Sequence, residues 1–205
     1  MSGVNLVEVK LGDKAAVFGL GVLGLMTGML LKNLGAEVVG VDPVEARCQL
    51  ASEVGFSHTV NVPPQEQVRT LMDQFGGMDL TVDVSGQGRA IESAVLACKK
   101  YGQVLLLGTP RAACEMDVTP MMNAIHMRML KVIGGFNSVE PVAESEGMRL
   151  NVARDFETLT TLLLTGKLGF SSLISHVIKP EEVERAYHGL MYEPADYRCV
   201  VIDWS

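Results

Sequence analysis

The chain has 205 residues, a formal net charge of -7 and a hydrophobic fraction of 48%. This length suits one large domain, or a domain of about 150 residues with an appendage, and the composition is that of a folded chain rather than a disordered one. The acidic balance supplies no basic surface for a phosphate backbone, so we expect no nucleic-acid partner.

The first strong pattern is a glycine-rich segment near the start of the chain. An apolar run, Ala15–Phe18, leads into Gly19, Gly21 and Gly24 at Gly-x-Gly-x-x-Gly spacing. Between a strand and a helix, this spacing is typical of dinucleotide-binding sites. The first glycine permits a tight turn, the second lets the backbone approach a pyrophosphate, and the third lets helix and strand pack closely.

The helix after this turn is predicted from about Val22 to Leu34, ending before Gly35. Its first N–H groups, at Val22 and Leu23, and the positive end of the helix dipole then face the phosphates. The charge-free run Ala15–Leu31 begins as a strand and is interrupted by glycines. We therefore expect burial under a sheet rather than a membrane span, and no signal peptide.

A second predicted strand, Glu37–Val41, ends at Asp42, eighteen residues after Gly24. A carboxylate here accepts hydrogen bonds from both hydroxyls of an adenosine ribose and repels a 2′-phosphate, so the sequence favours NAD over NADP. Arg47 suits a 2′-phosphate and keeps NADP open as the less favoured cofactor. A structural role is open too, because Asp42-Pro43-Val44-Glu45 fits a capping box.

The rest of the first 150 residues alternates between strands and helices. This predicts a doubly wound parallel α/β sheet of the Rossmann type, ordered 3-2-1-4-5-6, with a ligand crevice at the carboxyl ends of strands one and four. The predicted elements are helix Val44–Val54, strand His58–Val62, helix Gln65–Phe75, strand Met78–Val84, a turn from Ser85, a helix to Lys100, strand Gln103–Leu107, helix Thr119–Met127 and strand Leu130–Phe136.

Residues 1–150 are thus predicted as a dinucleotide-binding domain and residues 151–205 as a short α/β appendage. The polar stretch Asn137–Asn151 is predicted as a loop. The appendage is predicted as helix Val152–Thr165, strand Leu173–Ile178, helix Pro180–Leu190 and strand Arg198–Trp204. We expect no obvious partner within the chain for its last strand.

The cysteines and histidines show no metal-binding pattern. Cys48, Cys98, Cys114 and Cys199 lie far apart, and His58, His126, His176 and His188 have no partner at ligand spacing. Cys48 and Cys98 fall in predicted helices and are expected to be small buried hydrophobes in a reducing cytoplasm. We therefore expect no metal and no catalytic residue in this chain; His126, before the sixth strand, is the least ordinary histidine.

Several segments together match one known pattern: Val9–Asp13, Gly19–Gly24 with Asp42 and Arg47, Leu107–Thr109, Lys131–Phe136, and the closing stretch Tyr197–Ile202. On these segments the sequence resembles the coenzyme-binding half of the zinc-type medium-chain dehydrogenases, the superfamily of alcohol, sorbitol and threonine dehydrogenases. The resemblance covers nearly the whole chain.

The resemblance implies roles for residues outside the glycine turn. Backbone groups around Leu107, Gly108, Thr109 and Ile133 would hold the nicotinamide carboxamide, and Arg198 would reach the pyrophosphate. Ser85, in the turn after the fourth predicted strand, is expected to be a further cofactor-binding residue. For Arg198 a plain surface charge on an exposed strand stays open, although a guanidinium fork suits a pyrophosphate.

In that family an N-terminal domain holds a catalytic zinc, and its ligands have no counterpart in this sequence. The resemblance therefore implies the NAD(H)-binding portion of an alcohol dehydrogenase-like oxidoreductase, inactive alone, whether a fragment, a truncated reading frame or a stand-alone domain. A free-standing NAD-sensing module and a zinc-independent quinone-reductase relative using NADPH stay open, although Asp42 argues against the latter. Because family members dimerise through the sixth strand, a homodimer through Leu130–Phe136 is expected.

Overall fold

A six-stranded parallel sheet forms the centre of the molecule. The structure is a computed structural model, and it describes residues 1–110, 112–136, 141–143 and 150–205. The strand order is β3-β2-β1-β4-β5-β6, and every neighbouring pair runs parallel. This confirms the predicted fold class and topology.

The elements alternate as expected along the chain. The strands are β1 Lys14–Phe18, β2 Glu37–Val41, β3 His58–Val60, β4 Met78–Asp83, β5 Cys98–Leu106 and β6 Lys131–Gly134. The helices between them are α1 Val22–Asn33, α2 Glu45–Glu53, α3 Pro64–Phe75, α4 Gly88–Ala97 and α5 Thr119–Arg128. The C-terminal elements are α6 Val152–Leu164, β7 His176–Ile178, α7 Val183–Tyr192 and β8 Val200–Ile202.

β1 is buried on both faces of the sheet, which explains its unbroken apolar run. Ala15 and Val17 join a core cluster beneath α1, whereas Ala16 and Phe18 join a second cluster beneath α3 and α4. Successive side chains of a strand point to opposite faces, so a strand covered on both sides is apolar at every position. None of the helices formed by the described residues is long and apolar enough to cross a membrane.

The end of α4 differs from the prediction. The helix stops at Ala97 rather than at Lys100, and Cys98 begins β5, so the assignment of Cys98 to a helix was wrong. The side chain of Cys98 is fully buried, as expected. The Arg128 guanidinium donates to the carbonyl oxygens of Leu96 and Cys98 at 2.7 and 2.8 Å. It thus satisfies two carbonyl oxygens at the junction between α4 and β5.

The capping box that was left open for Asp42-Pro43-Val44-Glu45 is not formed. The helix begins at Glu45 after Val44, and no side chain caps it. The Asp42 carboxylate instead accepts the backbone N–H groups of Val44, two residues on, and of Leu20, in the glycine turn. Asp42 thus joins the segment before α2 to the glycine turn.

The C-terminal segment forms its own small sheet and packs on the main core. β8 pairs in parallel with β7, so the last strand does have a partner within the chain, contrary to expectation. Leu168 and Leu173 are buried in the same cluster as β1, and Asn5 donates to Asp155 of α6 at 3.0 Å. The loop predicted for residues 137–151 lies mostly outside the described residues.

Candidate functional site

The turn between β1 and α1 holds three glycines in three different environments. Gly19 has φ +95°, a conformation that favours glycine. A Cβ on Gly24 would collide with the carbonyl oxygen of Gly19, so this position serves the packing of helix on strand. A Cβ on Gly21 would meet no atom within 4 Å. The backbone at Gly21 is therefore open to an approaching group.

The amino end of α1 presents unpaired donors beside this opening. The Leu25 N–H donates to the Gly21 carbonyl at 2.9 Å and starts the helical hydrogen bonds. The N–H groups of Val22, Leu23 and Gly24 therefore have no partner within the helix. The first turn contains no acidic residue. Free N–H groups and the positive end of the helix dipole together suit an anion.

Asp42 lies directly beside this turn and is 1% exposed. Its Oδ2 accepts the Leu20 N–H at 2.8 Å, and its Oδ1 accepts the Val44 N–H at 2.9 Å. Arg47 covers the carboxylate, with Nη1 3.4 Å from Oδ2. A carboxylate has about four acceptor sites, so two backbone donors leave capacity for sugar hydroxyls once Arg47 moves aside.

Two side chains hold the backbone of Asp42 in place. Asn61 Nδ2 donates to the Asp42 carbonyl oxygen at 3.0 Å, and Cys48 Sγ donates to the same atom at 3.3 Å. Burial, together with the Asp42 charge, raises the pKa of the Cys48 thiol. Cys48 therefore remains a protonated donor beneath the site.

A second buried carboxylate, which the sequence reasoning missed, ends β4. Asp83 is 0% exposed, and its oxygens accept the N–H groups of Ser85 and Gly86 and the Ser85 hydroxyl. Burial raises the pKa of Asp83, against the lowering effect of these hydrogen bonds. The available signal was an acid at the end of a strand followed shortly by Ser85-Gly86, in register with Val41, the residue before Asp42.

A cleft of about 810 Å³ opens at the carboxyl ends of β5 and β6. Among the predicted site residues, Leu23, Leu107, Gly108 and Thr109 line it. Ile133 instead packs with the core cluster, and the three residues after it, Gly134, Gly135 and Phe136, line the cleft. Met26, Thr27 and the N-terminal residues Met1–Val4 also line it, and no motif had indicated them.

Arg198 makes its described contacts in the C-terminal segment rather than at the glycine turn or the cleft. Its backbone N–H donates to Ser175 Oγ at 3.0 Å, a bond between the segments that precede β8 and β7. Its guanidinium Nε is buried and finds no hydrogen-bond partner among the described residues. The structure thus shows an unmet donor at Arg198 and no described contact between it and the glycine turn.

Comparison with known proteins identifies the family. The sequence model described as zinc-binding dehydrogenase matches residues 22–146, more than half of the chain. The chain belongs to the zinc-binding dehydrogenase family. This confirms the resemblance inferred from the motifs, and the matched region holds the first turn of α1, Asp42, Asp83 and the carboxyl ends of β5 and β6.

Relatives in this family are longer than this chain. The class-3 alcohol dehydrogenase of Cereibacter sphaeroides is 28% identical over 97% of the chain, which covers 52% of that protein. A protein designated a zinc-binding dehydrogenase, from Sinorhizobium meliloti and bound to NADP, is 26% identical with a TM-score of 0.73, covering 90% of this chain and 51% of the other. The chain spans about half the length of the curated relatives it matches.

A third comparison establishes the fold alone, because the identity is only 18%. The NADH complex of an Escherichia coli protein designated a short chain alcohol dehydrogenase has a TM-score of 0.80, covering 99% of this chain and 56% of the other.

The family name implies zinc, but the described residues do not fit a zinc site. Within residues 1–110, 112–136, 141–143 and 150–205, no group of three or more His, Cys, Asp or Glu side chains could hold a metal ion. His126, the least ordinary histidine of the sequence, lies exposed in the last turn of α5. Burial raises the pKa of the Cys98 thiol to about 11, which disfavours the thiolate that zinc requires.

Proposed function

We propose that this chain binds NAD(H) as the coenzyme-binding portion of an alcohol dehydrogenase-like oxidoreductase. The hydrogen bond between Leu20 N–H and Asp42 Oδ2 carries the proposal. It sets a carboxylate for a ribose beside the unpaired N–H groups of α1, which suit a diphosphate. The ribose and the diphosphate of an adenosine diphosphate would thus face a carboxylate and free N–H groups that lie next to each other.

The dinucleotide would be held by three sets of residues. The pyrophosphate would lie at Gly21 and the free N–H groups of α1, and the Arg198 guanidinium would reach it, as the resemblance implies. The adenosine ribose donates to Asp42. The nicotinamide end enters the cleft of about 810 Å³ at Leu107–Thr109, close to Ile133. The bound nicotinamide supplies a hydride acceptor, whereas the chain supplies position and electrostatics.

We assign NAD rather than NADP because of the charges of Asp42 and Arg47. The Asp42 carboxylate would repel a 2′-phosphate, and Arg47, the nearby cation, is already paired with that carboxylate at 3.4 Å. One structural relative binds NADP and another binds NADH, so the assignment depends on Asp42 and Arg47 of this chain.

For the whole protein we propose hydride transfer between an alcohol or carbonyl compound and the nicotinamide. The names of the curated relatives, alcohol and S-(hydroxymethyl)glutathione dehydrogenases, support this class. The 205-residue chain by itself should bind cofactor without oxidising alcohol, because its described part offers no ligand set for a zinc ion that would polarise the substrate oxygen. Elemental analysis should find no stoichiometric zinc.

Three broader proposals accompany this function. Residues 1–150 form the dinucleotide-binding domain, and residues 151–205 carry a surface for the catalytic domain of the whole protein. The free state of the four cysteines supports a reducing compartment, the cytoplasm. The exposed edge at β6 supports a homodimer.

Titration with NADH tests the function directly. NADH fluorescence should rise and saturate on addition of the purified chain, and the Kd for NADPH should be at least about tenfold weaker because of the Asp42 charge. Equal affinity for the two would favour the quinone-reductase alternative, in which NADPH is the cofactor. Absence of NADH binding would refute the proposal.

A further inference from the structure

The carboxyl ends of β1, β4 and β5 meet at Asp83. This residue is the last of β4 and pairs in register with Phe18 of β1 and Leu106 of β5. Its carbonyl oxygen accepts the N–H groups of Leu107 and Gly108 at 2.8 and 3.0 Å. Through its backbone, Asp83 thus fixes the start of the loop after β5.

The carboxylate of Asp83 fixes a second loop. Oδ1 accepts the Ser85 N–H at 3.1 Å and the Ser85 hydroxyl at 2.7 Å, while Oδ2 accepts the Gly86 N–H at 3.0 Å. No lysine, arginine or histidine of the described residues forms an ion pair with it. The loop's own donors therefore satisfy this buried group.

The loops held by Asp83 touch one another without intervening side chains. A Cβ added to Gly86 would collide with the Thr109 carbonyl oxygen, and one added to Gly108 would collide with the Gly86 nitrogen and lie 2.9 Å from Asp83 Oδ2. A Cβ added to Gly19 would lie 3.1 Å from Ser85 Cβ. A shift at residues 85 and 86 must therefore move residues 107–109.

We propose that Asp83 is a positioning residue that sets residues 107–109 to receive the nicotinamide half of the dinucleotide. The proposal rests on the proposed NAD(H)-binding function. In a doubly wound sheet the first three strands serve the adenosine half and the last three the nicotinamide half. Asp83 lies on β4, in the second half, whereas Asp42 follows β2 in the first.

The substitution Asp83→Asn tests this role with little change in volume. Both carboxylate oxygens accept backbone N–H groups, so either orientation of the new amide sets its NH₂ against a donor. The loop must then move, or one donor must lose its partner. We expect the Kd for NADH to rise about tenfold.

Asp79→Asn is the matched control. Asp79 lies at the other end of β4, where it accepts the Lys14 N–H at 2.9 Å and the Lys99 ammonium at 3.2 Å. Substitution of the Asp79 carboxylate perturbs hydrogen bonds to the same strand that Asp83 ends. These bonds lie far from the strand ends that would face the cofactor. The Kd for NADH should stay within about twofold of the unsubstituted chain.

The second ligand is 5′-AMP, which occupies only the adenosine half. Calorimetry on the 205-residue chain should give Asp83→Asn an unchanged Kd for 5′-AMP beside its weakened NADH binding. Equal weakening of both ligands, or unchanged NADH binding, would overturn the proposal. Failure of the unsubstituted chain to bind NADH would refute the proposed function instead.

A milder variant covers the case in which Asp83→Asn does not fold. Ser85→Ala removes the 2.7 Å bond from its hydroxyl to Asp83 Oδ1 and the 3.1 Å bond that the hydroxyl accepts from the Gln87 N–H, and it leaves both backbone bonds to Asp83 intact. We expect about threefold weaker NADH binding with 5′-AMP unchanged. A Ser85→Ala chain with unaltered NADH affinity would contradict the role of the Asp83 loop.

Discussion

The Asp42 carboxylate and the Leu20 backbone N–H are joined by a 2.8 Å hydrogen bond that fixes the end of β2 against the turn after β1. This bond orients the carboxylate before any ligand arrives. It also occupies one N–H of the turn, whereas those of Val22, Leu23 and Gly24 have no partner within the helix. The site is thus preorganised, which lowers the entropic cost of binding.

Asp42→Ala should weaken NADH binding far more than NADPH binding. Loss of a charged acceptor for two sugar hydroxyls should raise the Kd for NADH at least about tenfold. NADPH loses the same acceptor but also escapes repulsion between Asp42 and its 2′-phosphate, so its Kd should change little. Fluorescence titrations with both cofactors measure the difference.

Glu45→Gln is the control for this variant. Glu45 is exposed and lies three residues on, so its substitution removes one nearby negative charge without touching the carboxylate of Asp42. Both cofactors should bind this chain almost as before. If Asp42→Ala weakens NADH and NADPH by equal factors, then Asp42 does not select the cofactor.

The substitutions Gly21→Ala and Gly24→Ala should separate binding from stability. A methyl group on Gly21 meets open space, so the free energy of unfolding should fall by less than about 1 kcal/mol. The same methyl group should hinder the pyrophosphate and weaken NADH at least about tenfold. Urea denaturation and NADH titration of one preparation give both quantities.

The Gly24→Ala variant should instead lose mainly stability. Its methyl group would collide with the Gly19 carbonyl oxygen, a backbone atom that cannot rotate away. The free energy of unfolding should therefore be about 1–3 kcal/mol lower than that of the unsubstituted chain. A Gly24→Ala chain of normal stability would show that α1 does not pack on β1 this closely. A Gly21→Ala chain that binds NADH normally would remove the pyrophosphate from this turn.

The sequence predicted the parts of the site that depend on local spacing. Gly19, Gly24 and Asp42 all lie within one strand-turn-helix-strand unit, where the residues that impose the geometry are neighbours in sequence. The alternation of strands and helices, combined with the right-handed crossover of parallel strands, was likewise enough for the strand order. The roles of these residues toward the cofactor stay predictions.

The parts that were missed depend on contacts between distant segments. Asp83 gains its role from the loop after β5, more than twenty residues later, and no spacing rule links the two. Next to the end of α4, the Cys98 carbonyl accepts a hydrogen bond from Arg128, thirty residues further along the chain. β8 pairs with β7, and the sequence pattern of a single short strand does not indicate which strand it pairs with. Tertiary packing decides these features.

The four thiols should react with DTNB at sharply different rates. Cys114 is exposed and Cys199 is half-buried, whereas Cys48 and Cys98 are buried. Burial raises the pKa of both buried thiols, that of Cys98 to about 11, so at pH 8 neither supplies much thiolate. We expect one fast phase, one slower phase, and release of the remaining two equivalents only in denaturant.

Mass mapping of the modified chain assigns these phases. The fast phase should be absent from Cys114→Ser, which removes only an exposed thiol. Rapid modification of Cys48 in the native chain would show that the region beneath Asp42 opens readily, since its Sγ otherwise donates to the Asp42 carbonyl.

The proposed homodimer can be tested at a single backbone N–H of β6. The Gly135 N–H donates to the Leu106 carbonyl, so the alternation of a parallel ladder directs the Ile133 N–H toward β5 as well and the Val132 N–H outward. Val132→Pro should therefore remove an edge donor without breaking the ladder to β5. Light scattering should give twice the 22.1 kDa chain mass for the unsubstituted protein and the chain mass for this variant.

Val132→Thr separates this backbone effect from the side chain. Threonine keeps the N–H and the β-branched shape at a position that is 42% exposed, so the dimer should persist. A dimer that survives Val132→Pro would place the interface on another surface. A strictly monomeric unsubstituted chain at high concentration would refute the proposed β6 interface.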